Sequence, residues 1–335
     1  MPDRPRLTPP IADVRRAVRG ALEALKPGEL VLVALSGGPD SLALAAATAF
    51  EAPRAGLRAG AVIVDHGLQS GSADVAARAA QQATGLGLAP VRVERVPVGV
   101  TGGPEAAART ARYAALERAA SELDAAAVLL AHTLDDQAET VLLGLARGSG
   151  AASLQGMPAE RGIFRRPLLE IRRTTTVQAC VDAGLEPWSD PQNADPAFTR
   201  VRVREIVLPL LEAELGPRVA EALARTAEQL REDSEALTAF AEEVAEDLAE
   251  PENGGISLPI DALAANPAAL RHRLIRYVVD AEFGVALTRA QTLEVARLVT
   301  EWHGQTGVDL PGIRAVRRGG RLIFEATERA ADGTA

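Results

Sequence analysis

Three acidic residues and one tight turn carry the chemistry this sequence is equipped for. Asp40 lies within the turn Ser36-Gly37-Gly38-Pro39-Asp40-Ser41, and Asp136 and Glu139 stand three apart in HTLDDQAE. An apolar run, Leu30–Leu35, enters the turn, and an alanine- and leucine-rich run leaves it. Two glycines at such a junction let backbone N–H groups converge into an anion nest, and the N-terminus of the following helix adds partial positive charge. Ser36 and Ser41 can donate hydroxyl hydrogen bonds to phosphate oxygens. Asp40 repels a phosphate unless a cation lies between them, which points to Mg2+ bridging carboxylate and phosphates. The i, i+3 spacing puts Asp136 and Glu139 on one face of a helix's first turn, a place where carboxylates also simply complement the helix dipole. His132, at the end of an apolar strand, is placed either to contact phosphate or substrate or to pack in the core. A Walker A loop is absent, because the single lysine, Lys26, precedes the strand.

These residues are far apart in the chain, so a scaffold must gather them. From residue 30 to about 147 strands alternate with helices: Leu30–Leu35, then a helix from about Asp40; Ala61–Val64, then ADVAARAAQQATG; Val91–Val96, then a helix from about Pro104; Ala127–Ala131, then a helix ended by Gly148. This alternation predicts an α/β fold with a doubly wound, mostly parallel sheet. Ligands in such sheets lie outside the carboxyl ends of the strands, where SGGPDS, DHGLQSGS and HTLDDQAE fall. Residues 148–200 read as irregular, apart from a helical RTTTVQACVDAG around Cys180. A long helical stretch follows from about Thr199 to Glu250, interrupted at Gly216-Pro217. Beyond the breaker PENGG, a small α+β unit is expected, with helices near 267–282 and 288–300 and strands near 307–310, 313–318 and 321–325. The expected division is 1–215, a helical linker 216–250, and a small C-terminal domain 251–330.

The chain has 335 residues, 47% hydrophobic and 24% charged, the balance of a soluble protein. It contains no apolar run of membrane-spanning length and MPDRPRLTPP has no signal-like apolar core, so the expected compartment is cytoplasmic with no membrane partner. Its net charge of −9 argues at first against nucleic acid. The distribution reverses that: Glu221–Glu250 holds ten acidic residues and two arginines, leaving the rest close to neutral. That remainder carries the arginine clusters RGIFRRPLLEIRR (161–173), RVRVR (200–204) and RAVRRGGR (314–321). They suggest an anionic partner held locally.

SGGPDS after a clean strand resembles the PP-loop of the ATP pyrophosphatase (adenine nucleotide alpha-hydrolase) superfamily. Further stretches narrow the resemblance. VDHGLQSGS (64–72), EAAARTARY (105–113), AHTLDDQAETVLLGLARGSG (131–150), RRPLLEIRR (165–173) and DPQNADPAFTRVRVREIVLPLLE (190–212) resemble, in order, segments of tRNA(Ile)-lysidine synthetases. LRHRLIRYVV (270–279) and WHGQTGVDLPGIRAVRRGGRLIF (302–324) resemble that family's first C-terminal domain. The chain departs where the family commonly has Arg-Asn-Arg-Ile-Arg-His and this sequence has Arg200-Val-Arg-Val-Arg-Glu205, keeping the arginines.

The resemblance implies a two-step ligation. ATP adenylates the C2 oxygen of the wobble cytidine in the isoleucine tRNA with a CAU anticodon, and pyrophosphate leaves. The ε-amine of free L-lysine then attacks C2 and AMP leaves. It further implies that Ser36, Gly37, Gly38, Pro39, Asp40 and Ser41 bind ATP and that Asp40 and Asp136 hold Mg2+. Glu139 then orients or deprotonates the amine, His132 contacts phosphate or substrate, and Arg109, Arg112, Arg200, Arg202 and Arg204 meet tRNA or substrate. No obligatory protein partner is implied. A PP-loop tRNA thiolase is the main rival, but such enzymes rely on cysteines and this chain has one, Cys180. A small-molecule adenylating synthetase is the other, without a visible glutaminase domain or a use for the arginines.

Overall fold

In a computed structural model, residues 7–67, 71–96, 104–148, 150–188, 195–252 and 254–327 are described. The middle of DHGLQSGS and residues 189–194, at the start of the DPQNADP segment, lie outside them. The chain divides after Leu230 into two compact units.

The first unit is built on a six-stranded sheet. Its strands are β1 (Leu30–Ala34), β2 (Arg58–Asp65), β3 (Val91–Arg95), β4 (Ala125–Leu129), β5 (Glu160–Arg161) and β6 (Phe164–Arg165), in the order β3-β2-β1-β4-β6-β5. β1 pairs in parallel with β2 and β4, and β2–β3 and β4–β6 are also parallel, while β5–β6 is an antiparallel hairpin. β1 shows why the run LVLVA becomes a central strand. Its side chains alternate between two cores, Leu30 and Leu32 on one face and Val31 and Val33 on the other, as a strand covered on both sides requires.

Helices α1 (Pro9–Leu22), α2 (Pro39–Glu51), α3 (Ser72–Gly85), α4 (Pro104–Glu122), α5 (Leu134–Arg147), α6 (Ala151–Leu154) and α7 (Arg173–Asp182) complete this part. The core with Val31 and Val33 includes residues of α1, α2, α3 and α7, and the core with Leu30 and Leu32 includes Leu116 and Ala120 of α4. Helix α1 lies outside the alternation expected from residue 30 onward; its buried Ile11, Val14, Val18 and Leu22 recur at helical spacing. The stretch 148–200, expected to be largely irregular, contains α6, the β5–β6 hairpin and α7. The decisive feature is the strand order: the chain runs outward from β1 to β2 and β3, then returns to place β4 on the other side of β1. The turn after β1 and the turn after β4 are therefore neighbours at a topological switch point, where open α/β sheets bind ligands.

After α7 the chain forms α8 (Thr199–Arg202), a wide π turn at Val203–Val207, and α9 (Leu208–Leu215). Pro209 accounts for the π turn. It has no N–H to return to the carbonyl four residues earlier, and Leu208 N–H reaches back five residues to Val203 O instead. Gly216, at φ +99°, ends α9 before α10 (Val219–Leu248) begins, and this long helix runs from the first unit into the second.

The second unit has an antiparallel sheet of β7 (Glu250–Glu252), β8 (Gly255–Pro259), β9 (Val308–Leu310), β10 (Ile313–Arg318) and β11 (Arg321–Ala326), in the order β7-β8-β11-β10-β9. PENGG follows the end of α10, as expected of a breaker, and supplies residues to β7 and β8. α11 (Ile260–Ala265), α12 (Ala268–Phe283) and α13 (Arg289–Thr300) contribute Leu263, Leu274, Ile275, Val295 and Leu298 to a core shared with Leu322 and Phe324. The first unit is thus the expected mostly parallel α/β domain, and the second the expected smaller α+β domain reached through a long helix. No helix among the described residues is long and apolar enough to cross a membrane.

Candidate active site

The turn after β1 is shaped by its own serines. Gly37 adopts φ +83°, a left-handed conformation that costs glycine nothing, and its carbonyl accepts a hydrogen bond from Trp188 N–H at 2.9 Å. Ser41 Oγ donates to Gly38 O at 3.0 Å and accepts from Ser36 N–H at 3.1 Å, with Ser36 Oγ 3.0 Å away. Buried Ser41 is therefore a brace across the loop. Pro39 is the first residue of α2, whose first intrahelical hydrogen bond runs from Leu42 N–H to Gly38 O. The preceding N–H groups are the ones a helix start leaves for an anion.

Gly38 gives the cleaner test of this cradle. Its backbone, φ −73° and ψ 166°, suits any residue, and an added Cβ meets only Ser36 Oγ at 3.6 Å. Gly38→Ala is expected to leave stability within about 0.5 kcal/mol while weakening ATP binding at least tenfold, about 1.4 kcal/mol. Calorimetric titration beside a thermal melt checks this, and unchanged ATP affinity would remove the loop from the site.

The turn after β4 delivers the acids. Thr133 caps α5, and Asp136 closes a reciprocal box: Thr133 N–H and Oγ1 donate to Asp136 Oδ2 at 2.8 and 2.9 Å, and Asp136 N–H returns to Thr133 Oγ1 at 3.4 Å. One Asp136 oxygen thus serves the helix. The other, Oδ1, faces Arg173 Nη2 at 2.7 Å. The same guanidinium donates through Nε to Asp40 Oδ2 at 3.3 Å and through Nη1 to Glu139 Oε1 at 3.2 Å. The residues expected to act together do meet, and Arg173 joins them.

Further contacts fix this group. Thr176 Oγ1 donates to Asp40 Oδ1. Arg173 N–H donates to Asp135 Oδ2 at 2.7 Å, and Arg172 reaches Asp135, Glu212 and Glu221. Glu139 is fully buried, 0% exposed, and is clasped by Arg204 through Nε at 2.7 Å and Nη2 at 3.1 Å, with Arg200 at 3.9 Å. The π turn starting at Val203 carries Arg204 to this position. Burial pushes the Asp40 carboxyl above its usual value, against the pull of Arg173 and Thr176. Burial also raises Asp136, but Arg173 and the Thr133 N–H outweigh it and hold Asp136 below the usual range.

A second cluster lies beside the acids. Arg109 Nη2 and Arg166 Nη2 both donate to Tyr113 Oη, at 3.3 and 3.4 Å, and the Tyr113 ring packs edge-on against Phe164 at 4.9 Å. Arg166 is only 5% exposed and has no carboxylate partner among the described residues; it donates to Pro158 O at 2.8 Å. His66 and His132 each hold a buried Nδ1 without a hydrogen-bond partner among the described residues. Desolvation by the groups around it, then the neighbouring charge of Arg109, lowers the Arg112 pKa although part of the side chain stays exposed. Cationic groups gathered with so little compensation suit a negatively charged ligand.

A family model described as the PP-loop domain matches residues 12–211, and one described as the TilS substrate binding domain matches residues 258–323. The chain is 64% identical over 301 residues to the tRNA(Ile)-lysidine synthase of Leifsonia xyli subsp. xyli (strain CTCB07), covering 90% of this chain and 91% of that protein. It is 56% identical over 321 residues to the tRNA(Ile)-lysidine synthase of Thermobifida fusca (strain YX), covering 95% of this chain and 98% of that protein. The chain belongs to the tRNA(Ile)-lysidine synthase family. Among solved structures, the U34-tRNA thiolase NcsA from Methanococcus maripaludis with its [4Fe-4S] cluster has the same fold, at TM-score 0.56 and 22% identity over 67% of this chain and 79% of that one. The chain has a single cysteine, Cys180, which is buried behind the loop and donates to Pro39 O at 3.3 Å.

The expected site residues fall into separate positions. Asp40, Asp136, Glu139 and Arg204 form one ionic group, with Arg200 at its edge. Arg109 and His132 belong to the arginine–tyrosine side. Arg202 is held by the carbonyls of Pro196 and Ala197 at 2.6 and 2.9 Å. Arg173, Thr176 and Arg166 were not singled out by spacing; the first and last sit in an arginine-rich cluster with nothing local to mark them.

Among the described residues no three acidic, histidine or cysteine side chains are grouped to hold a metal by themselves. Mg2+ takes one or two carboxylates and completes its shell with phosphate oxygens and water, and the hard oxygen donors of Asp40 and Asp136 fit such an ion.

His132 provides a pH test. Burial, opposed by Asp136 and assisted by Arg166, Arg109 and Arg112, lowers its pKa to about 4. The unfolded chain binds this proton near the ordinary value of about 6.5, so the stability from neutral His132 is complete above that pH and is lost as pH falls toward 4. The loss is on the order of 3 kcal/mol. Urea unfolding of the wild type and His132→Asn at pH 7.5 and 4.5 should show a larger acid loss in the wild type, and equal losses would refute burial as the cause.

Proposed function

We propose that this chain ligates free L-lysine to C2 of the wobble cytidine of the CAU-anticodon isoleucine tRNA. The observation that carries the proposal is the meeting of Asp40, Asp136 and Glu139 beside the glycine turn in a chain of the lysidine synthase family. In the first step the C2 oxygen bonds to the α-phosphorus of ATP, the α–β phosphoanhydride breaks, and pyrophosphate leaves. In the second the ε-amine bonds to C2, the C2–oxygen bond breaks, and AMP leaves.

In this scheme the loop Ser36–Ser41 holds the phosphates through backbone N–H groups, with Ser41 keeping its shape. Asp40 and Asp136 hold Mg2+, which when bound neutralises phosphate charge. Glu139 orients the amine and takes its proton. Arg109, Arg112 and His132 wall the space for the cytidine, which must leave its stack to be modified. Arg200, Arg202 and Arg204 are the proposed contacts to the anticodon region, Arg204 only after leaving Glu139. No obligatory protein partner enters the scheme, and we place it in the cytoplasm, where ATP, lysine and tRNA occur together. Nucleoside mass spectrometry of tRNA incubated with the protein, ATP and lysine is expected to detect lysidine in the isoleucine tRNA and none in methionine tRNA. Pyrophosphate release without lysine attachment would refute the proposal.

A further inference from the structure

Arg173 uses its whole guanidinium on the three carboxylates assigned to the reaction, one nitrogen to each. It is 20% exposed at the side chain, and its backbone is fixed as the first residue of α7 by the bond to Asp135. Arg204 and Arg200 lie against the same acids. The ionic group is thus three carboxylates facing three guanidinium groups, a balanced set. The reaction asks this set to accept a divalent metal and a lysine ammonium as well. Cations entering a group already neutralised by arginine meet repulsion in a partly buried site. A triphosphate reverses the balance, and a planar guanidinium fork binds phosphate oxygens as readily as carboxylates.

We infer that Arg173 is a place-holding counter-ion: its guanidinium occupies the position of the reaction's cations, and a bound triphosphate draws it from the carboxylates to the phosphates. The cation site then opens only with nucleotide seated, which makes ATP the first substrate and lysine a later one. Thr176 and Cys180 tie α7 to Asp40 and Pro39 of α2, so the proposed exchange is a rotation of the Arg173 side chain on a fixed helix. This inference rests on the carboxylate roles proposed above.

The test is binding of Mn2+ to the full chain without ATP, tRNA or lysine, read by electron paramagnetic resonance. Wild type should bind weakly. Arg173→Gln, which removes the resident charge, should bind Mn2+ at least about tenfold more tightly, a coupling of ordinary size. Adding Asp40→Asn to that variant should cancel the gain. Arg173→Lys keeps a cation on α7 but spans fewer carboxylates, so it should fall between the two and decides the matter if the glutamine variant does not fold. A residue that only braced α7 would lower the thermal midpoint without changing Mn2+ affinity. Affinities equal to wild type in both variants would overturn the inference. Because this titration contains neither tRNA nor lysine, its failure leaves the ligase assay intact, and failure of the ligase assay leaves the titration to be judged alone.

Discussion

Asp136→Asn is expected to reduce pyrophosphate release by about 10²–10⁴-fold, the range for loss of a metal-holding carboxylate, while tRNA binding stays near normal. The two oxygens of Asp136 have separate duties, which makes this substitution informative. Oδ2 accepts from Thr133 at the start of α5 and Oδ1 faces Arg173 and Arg204. An asparagine carbonyl can keep the cap, whose loss is typically worth ~1 kcal/mol, while its amide points at the guanidinium groups without charge. The fold should therefore survive and the chemistry should not. Quench-flow measurement of pyrophosphate, with a filter assay for tRNA, separates the two. Turnover at the wild-type rate would reduce Asp136 to a helix cap and move the active site elsewhere.

Glu139→Gln is expected to divide the reaction. If Glu139 serves the incoming amine, its amide should still permit some pyrophosphate release but attach little lysine. From sequence alone the variant has no reason to lose stability, since it creates no cavity. The structure adds a cost: Glu139 is fully buried and accepts from Arg204 and Arg173. Removing its charge takes one of three carboxylates from Arg173 and leaves Arg204 with Asp136 alone among the described residues, 3.6 Å away, a penalty of about 1.5–3 kcal/mol for lost charged hydrogen bonds. Labelled-lysine incorporation compared with pyrophosphate release tests the first part and denaturant unfolding the second. Equal loss of both steps would end the division of labour, and wild-type stability would mean that the arginines find other partners.

Much of the site was legible because its signals are local. The apolar run LVLVA and the glycine turn place the loop at a strand end, and the stretch from Leu134 reads as a helix with acids in its first turn, ended by Gly148. The i, i+3 relation of Asp136 and Glu139 follows from helix geometry wherever that helix lies. Helix α1 was equally open to reading in Ile11, Val14, Val18 and Leu22, but its catalytic relevance is small and the strand–helix alternation begins after it.

What the tertiary structure decided is which arginine meets which acid. Arg173 is 133 residues from Asp40 and 34 from Glu139 in sequence, and Arg204 is 65 from Glu139. RGIFRRPLLEIRR and RVRVR read as interchangeable positive charge, because periodicity reports the face a residue takes on its own element and says nothing of the neighbouring element. Strand order brings the β1 and β4 turns together, the stitching of residues 171–173 to α5 turns Arg173 inward, and the π turn before Pro209 carries Arg204 to Glu139. Sequence by itself determined the fold class, the loop and the acids; only tertiary structure decided their counter-ions, since an ion pair depends on distance in space and these distances are set by packing between segments far apart in the chain.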